Sequence, residues 1–143
     1  MKLLTFLSPR FAWRAHSKTL GDAMDVPLGE DAINEEVAEA VVVFIHAQAG
    51  DESEEASSRA LRHVVKHVKW LAGKRGYRTA VLHSFTHLGG ENADPAFARD
   101  FIVQVSERLT RGGFEVAMTP FGHFCEWDLS VHGESLAKVW KEI

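Results

Sequence analysis

The stretch "EAVVVFIHA", Glu39 to Ala47, constrains the fold more than any other part of the chain. It is a continuous β-branched run, which fits a pleated, buried strand better than a helix. "TAVLHSF", Thr79 to Phe85, reads as a second buried strand. Between them lies "DESEEASSRALRHVVKHVKWLAGKRGYR". Its first turn is acidic, Lys74, Arg75 and Gly76 close it, and Leu61, Val64, Val65, Val68, Leu71 and Ala72 recur at helical spacing. Strand, helix, strand in this order predicts a layered α/β domain.

The remaining elements follow from punctuation. "LLTFL" near the start predicts a short buried strand, and the acidic stretch Gly21 to Glu36 predicts a loop. Asp94-Pro95 is an N-cap followed by proline at the first helical position. Phe97, Phe101, Ile102, Val105 and Leu109 then mark a helix that Gly112-Gly113 ends. "FEVAMTPF" and "HFCEWDLS" read as two strands close enough to form a hairpin, and Glu134 to Glu142 as a short closing helix. The expected architecture is one domain over residues 1–143, a mixed β-sheet layered with packed helices.

At 143 residues the chain can bury a core without covalent staples, and one cysteine excludes an internal disulfide. A net charge of −4 speaks against a constitutive nucleic-acid binder, which usually carries a basic stripe, although eight histidines can alter the balance locally. No apolar run approaches a membrane span, and the N-terminus stops at Ser8-Pro9 without a cleavage-site pattern. A cytoplasmic protein that does not enter membranes is expected.

Phosphate-binding glycine loops, C-x-x-C pairs and H-E-x-x-H are all missing from the sequence. What remains are histidines at strand ends: His46, His83, His87 and His123. In open α/β sheets, sites gather where strands end. Alternation along the last predicted strand sends His123, Cys125, Trp127 and Leu129 to one face and Phe124, Glu126 and Asp128 to the other. Cys125 with His87 or His123 is a candidate nucleophile and base, and His83, His87, His123 and Cys125 are a candidate Zn²⁺ set. The other reading of Cys125 is a small buried hydrophobe. His63 and His67, one turn apart and off the main apolar face, read as solvated helix surface.

At these residues the chain resembles the N-terminal editing domain of archaeal threonyl-tRNA synthetases, a fold similar to D-aminoacyl-tRNA deacylases. Leu4, Ser8, Lys18 and Leu20 fit the start, and Val43 to Ile45 fit the strand beside the pocket. "SFTHL" resembles Pro-Phe-Ala-His-Leu through Phe85, His87 and Leu88. "TPFGHFCEW" resembles Pro-Phe-Gly-Tyr-Tyr-Lys through Pro120, Phe121 and Gly122, and Ser130, Gly133, Leu136 and Ala137 fit the close. The resemblance implies hydrolysis of serine wrongly esterified to tRNA(Thr), at the terminal adenosine. It places His46, Ala47, Thr86 and His87 at the pocket. It also implies a homodimer and no required cofactor. Five positions depart from the family pattern. Cys125 stands for a lysine, His123 and Phe124 for two aromatic residues, Lys138 for a glutamate, and Thr86 for an alanine.

Three functions are therefore expected to compete. The first is a trans-acting aminoacyl-tRNA deacylase, free-standing, with His87 and Cys125 as catalytic groups. His46, Ala47, Thr86, His123, Phe124 and Lys138 would bind substrate, and Lys69, Lys74 and Arg75, or Lys138 and Lys141, would supply a basic approach. The second is a zinc-binding hydrolase or metal-binding protein on the same scaffold. The third is a non-catalytic domain that binds an amino acid or nucleotide.

Overall fold

A computed structural model describes residues 1–19 and 34–143. The chain runs β1 (Lys2–Lys18), β2 (Asn34–His46), α1 (Glu54–Gly73), β3 (Thr79–Ser84), α2 (Pro95–Arg111), β4 (Glu115–Met118), β5 (His123–Ser130) and β6 (Lys138–Glu142). Short 3-10 turns at Ala49–Asp51 and Ser135–Ala137 precede α1 and β6. The sheet order is β4-β3-β2-β1-β5, with β6 also paired to β1. β2, β3 and β4 are parallel, and β1 is antiparallel to β2, β5 and β6. The expected α/β fold, a layered mixed sheet with packed helices, is the fold found.

The β-branched run is the centre of this sheet. Val41, Val43 and Ile45 pack under α1 and α2 with Leu61, Val64, Val68, Phe101 and Val105. Ala40, Val42 and Phe44 face the other way, with Phe11, Trp13 and Val81. A strand buried on both faces has no polar side to alternate, hence the continuous apolar run. α1 starts at Ser53, whose side chain accepts from Ala56 N–H, and α2 at Asp94, whose carboxylate accepts from Ala96 and Phe97 N–H.

Three readings of local pattern are corrected. The two late strands form no hairpin: β4 pairs with β3 and β5 with β1, at opposite sides of the sheet. Residues 138–142 are strand rather than helix, because Lys138–Glu142 completes the edge of β1 against Lys2–Phe6. β1 runs far past "LLTFL", to Lys18. Of the predicted loop, Asn34–Glu36 belong to β2, while positions 21–33 lie outside the described residues. Ser8 holds the point where the neighbour of β1 changes from β6 to β5, donating toward the carbonyls of Arg10 (2.8 Å) and Ser130 (2.6 Å).

His67 is also corrected. It is buried, with Nε2 3.0 Å from Thr5 Oγ1, while the Thr5 hydroxyl donates to Val139 O at 3.0 Å. That second bond makes Thr5 the acceptor of His67 Nε2–H, and burial, which pushes the ring's pKa down to about 4, keeps it neutral. Strands β1 and β6 cover a flank of α1 that helical spacing alone left open. His63 is exposed as expected.

The Met1 ammonium is buried beside Asp51 at 2.8 Å, and the other Asp51 oxygen accepts Gln48 N–H at 2.8 Å. Asp51→Asn leaves a buried ammonium without a counter-charge. We expect a loss of about 2–3 kcal/mol, read as a lower urea midpoint, with the urea m-value unchanged.

Candidate active site

The parallel strands β2, β3 and β4 all end on one side of the sheet, and a cleft of about 560 Å³ opens there. Two loops wall it. The loop after β3 is stapled back to β2 through Phe85 N–H to Ile45 O (3.0 Å) and Ala93 N–H to Ala47 O (3.0 Å). The loop after β4 starts with Thr119 N–H to Leu82 O (3.1 Å) and turns at Gly122, whose φ of 76° suits glycine. Thr19 clamps that turn, with both its amide and its hydroxyl on Gly122 O. The first residues of α2, Pro95 and Ala98, close the third side.

Ala47, His83, Thr86, His87, His123, Phe124 and Cys125 all line this cleft. Residues from β2, β3, β5 and their loops, far apart in sequence, therefore meet as expected. Two anticipated positions do not line it. His46 is fully buried behind the wall. Leu88 N–H donates to its Nδ1 (3.3 Å), which leaves Nε2–H to donate to Asn92 Oδ1 (2.8 Å). Burial holds its pKa below the ordinary histidine value, so this ring is a neutral clasp between β2 and the loop. Lys138 lies on β6 opposite Phe6, and its ammonium donates to His132 O at 3.1 Å. Of the proposed basic approach, neither Lys69, Lys74 and Arg75 nor Lys141 lines the cleft.

The floor is aromatic. Phe44 meets the rings of His83, Phe85 and Trp127 at centroid distances of 4.8, 5.2 and 4.9 Å. His83 is buried, its Nδ1 lies 2.7 Å from Thr119 Oγ1, and desolvation pushes its pKa down to about 4. It is neutral at pH 7. His87 differs: it is exposed at the rim, the edge-on ring of Phe85 supports it at 5.4 Å, and among the described residues its ring makes no hydrogen bond. Both its nitrogens are open to a ligand.

Alternation along β5 holds from Cys125 to Leu129, whereas Phe124, expected on the opposite face, lines the cleft beside His123 and Cys125 where the register of β1 against β5 shifts. Cys125 and Leu129 pack on the aromatic side, while Glu126 and Asp128 meet Arg14 on the other. Cys125 Sγ, however, faces the carbonyl of His123 at 3.9 Å, and His123 Nδ1 lies 3.1 Å from Phe121 O. Among the described residues no imidazole meets the thiol, and burial raises its pKa. A thiol held protonated without a base is a poor nucleophile. Among the described residues no three His, Cys, Asp or Glu side chains come together as a metal-holding group, so His83, His87, His123 and Cys125 do not form the anticipated zinc set.

Asn92, Phe121, Trp127 and the start of α2 were missed as lining residues. Gly89-Gly90 beside Asn92 was the available signal, since both glycines take left-handed φ where the loop folds back onto β2. Among the described residues none that lines the cleft is Lys, Arg, Asp or Glu, and those residues make a half-aromatic slot with hydroxyl, amide and imidazole groups.

Fold and cleft define a class: an α/β domain with a ligand slot at the ends of its parallel strands. The chain belongs to the archaea-specific editing domain family of threonyl-tRNA synthetase, whose family model matches residues 1–143. It is 28% identical to a threonine–tRNA ligase of Hyperthermus butylicus, with 97% of this chain and 22% of that protein aligned. It is 27% identical to the Thermococcus onnurineus ligase over 100% of this chain and 22% of that one. With the Pyrobaculum calidifontis ligase it shares 30% identity over 97% and 22%. The chain thus spans about a fifth of the length of these curated relatives. Among solved structures it is similar to the c-Myc DNA Unwinding Element Binding Protein, with a TM-score of 0.66, 12% identity, and 100% and 99% of the two chains covered. That likeness concerns the fold alone.

Proposed function

We propose that this domain hydrolyses the ester of serine on tRNA(Thr), acting in trans on the aminoacylated 3′ end. The observation that carries the reading is the cleft, free of charged side chains among the described residues, at the strand ends of a chain that the editing-domain family covers throughout. The need for such a step is physical. A site that selects threonine gains only about 1–3 kcal/mol against an analogue smaller by one methyl group, so a second, hydrolytic site must remove serine.

The slot suits the ester. Its aromatic floor takes the adenosine, and Thr86 and His87 flank the place for the aminoacyl group. A water attacks the carbonyl carbon, the bond to the ribose oxygen breaks, and His87 takes the water proton and returns it to that oxygen. Free serine and tRNA leave. Cys125 lines the wall and takes no part, so Cys125→Ser keeps hydrolysis within about threefold of the parent. A loss of 100-fold or more would restore the thiol as a nucleophile. Release of labelled serine from Ser-tRNA(Thr), with Thr-tRNA(Thr) as the control, tests the whole reading. It fails if neither ester is cleaved or if both are cleaved equally. A homodimer belongs to the same reading, because edge strands β4 and β6 leave Met118 and Trp140 exposed. Light scattering tests it.

A further inference from the structure

We infer that the solvent face of α1 is a docking surface for the phosphate backbone of an RNA duplex, separate from the cleft. Charge along the chain is very uneven. Residues 56–90 carry seven of the sixteen Lys and Arg and none of the twenty Asp and Glu, in a protein whose net charge is −4. Six of the seven lie within or just after α1, between Arg59 and Arg75.

The helix sorts them onto one side. At about 100° per residue, Arg59, Arg62, Lys66, Lys69 and Lys74 fall within roughly 140° of arc, opposite the buried Val64, Val68 and Leu71. From Arg59 to Lys74 the row is about 22 Å long. Most of it is not neutralised from within. Arg59 reaches Glu55 only at 4.0 Å, and among the described residues Arg62, Lys66 and Lys69 have no acidic partner. Arg75, by contrast, is taken by Glu134 at 2.6 Å and stands outside the surface. Trp70 sits in the same arc, 43% exposed, with the Lys74 ammonium 5.0 Å from its ring centre.

An isolated row of like charges repels itself and costs stability unless a polyanion meets it. A row this long spans several consecutive phosphates of one strand. Contacts from such a row to phosphate oxygens position a duplex and carry no sequence information. The choice of RNA as the polyanion rests on the proposed function, since that substrate extends as a duplex beyond the esterified end.

The test measures binding of two fluorescent probes, deacylated tRNA(Thr) and a 12-base-pair RNA duplex, to the parent and to the Arg62→Glu/Lys66→Glu double variant. Both changes sit on exposed helix surface, and a thermal melt checks the fold. At 100 mM salt we expect the variant to bind both probes at least tenfold more weakly. The slope of log K against log salt should fall by about 1.5–2, two phosphate contacts being lost. Hydrolysis of 3′-O-seryl-adenosine, too small to reach α1, should be unchanged. Equal binding by parent and variant overturns the proposal, as does a parent that binds neither probe. If the parent binds RNA through this face but cleaves no ester, the docking surface stands and the deacylase reading falls.

Discussion

His87→Ala is expected to lower ester hydrolysis by 100-fold or more while leaving the urea midpoint within about 0.5 kcal/mol of the parent. The stability half follows from exposure: the ring makes no hydrogen bond among the described residues, and its contact is the edge of Phe85. The activity half follows from the composition of the slot. Among the described residues its walls hold no carboxylate, ammonium or guanidinium. His83, the neighbouring imidazole, is tied to Thr119 and held neutral by burial, and the Cys125 thiol faces a carbonyl. Among the imidazoles that line the cleft, His87 is the one with both ring nitrogens open, His123 having its Nδ1 on Phe121 O. General acid–base help from one side chain is worth about 100-fold to 10,000-fold. His87→Gln can orient a water but not accept its proton, so it should fall nearly as far. Parent-like turnover in both variants would show that water is activated by substrate hydroxyls instead.

Acid is expected to destabilise the fold through two other histidines. His67 and His83 each have their pKa pushed down to about 4, chiefly by burial and, for His67, also by Lys141. Both rings are ordinary in the unfolded chain, near 6.5. Between pH 6.5 and about 4 the unfolded chain therefore binds protons that the folded one refuses. The stability these neutral rings contribute is complete above pH 6.5 and is lost as pH falls toward 4. The gap corresponds to roughly 3 kcal/mol per histidine at its full extent, and to about 2 kcal/mol each at pH 5. Urea midpoints at pH 7.5, 6.0 and 5.0 measure it. His67→Gln keeps a donor for Thr5 and should remove about half of the dependence. A stability flat from pH 7.5 to 5 in the parent would mean that both rings find a cation-tolerant partner.

Elements whose pattern is local were legible in the residues. The run at Val41–Ile45, the stripe Leu61–Leu71 and the cap Asp94-Pro95 each express a constraint that near neighbours impose, and each appears where expected. The strand-end placement of His83, His87 and His123 was legible for the same reason, and with it most of the cleft. Partnership was not. Residues 138–142 carry a spacing that suits a short helix, and they become a strand because Lys2–Phe6 offers an unfilled edge more than 130 positions away. β4 and β5 are adjacent in sequence and lie on opposite sides of the sheet for the same cause. His46 was placed in the pocket by its strand end and left it through two hydrogen bonds to the loop at 88–92.

By itself, then, the sequence determined the order of elements as far as β5, the main apolar face of α1 and the group of side chains at the strand ends, because periodicity and capping act over a few residues. The tertiary structure decided which of those side chains are free to react. Cys125 and His123 lost their partnership to backbone carbonyls, His83 was buried beside Thr119, and His87 kept an open ring. Protonation and access depend on desolvation and on partners brought from distant segments, and those exist only once the sheet is assembled.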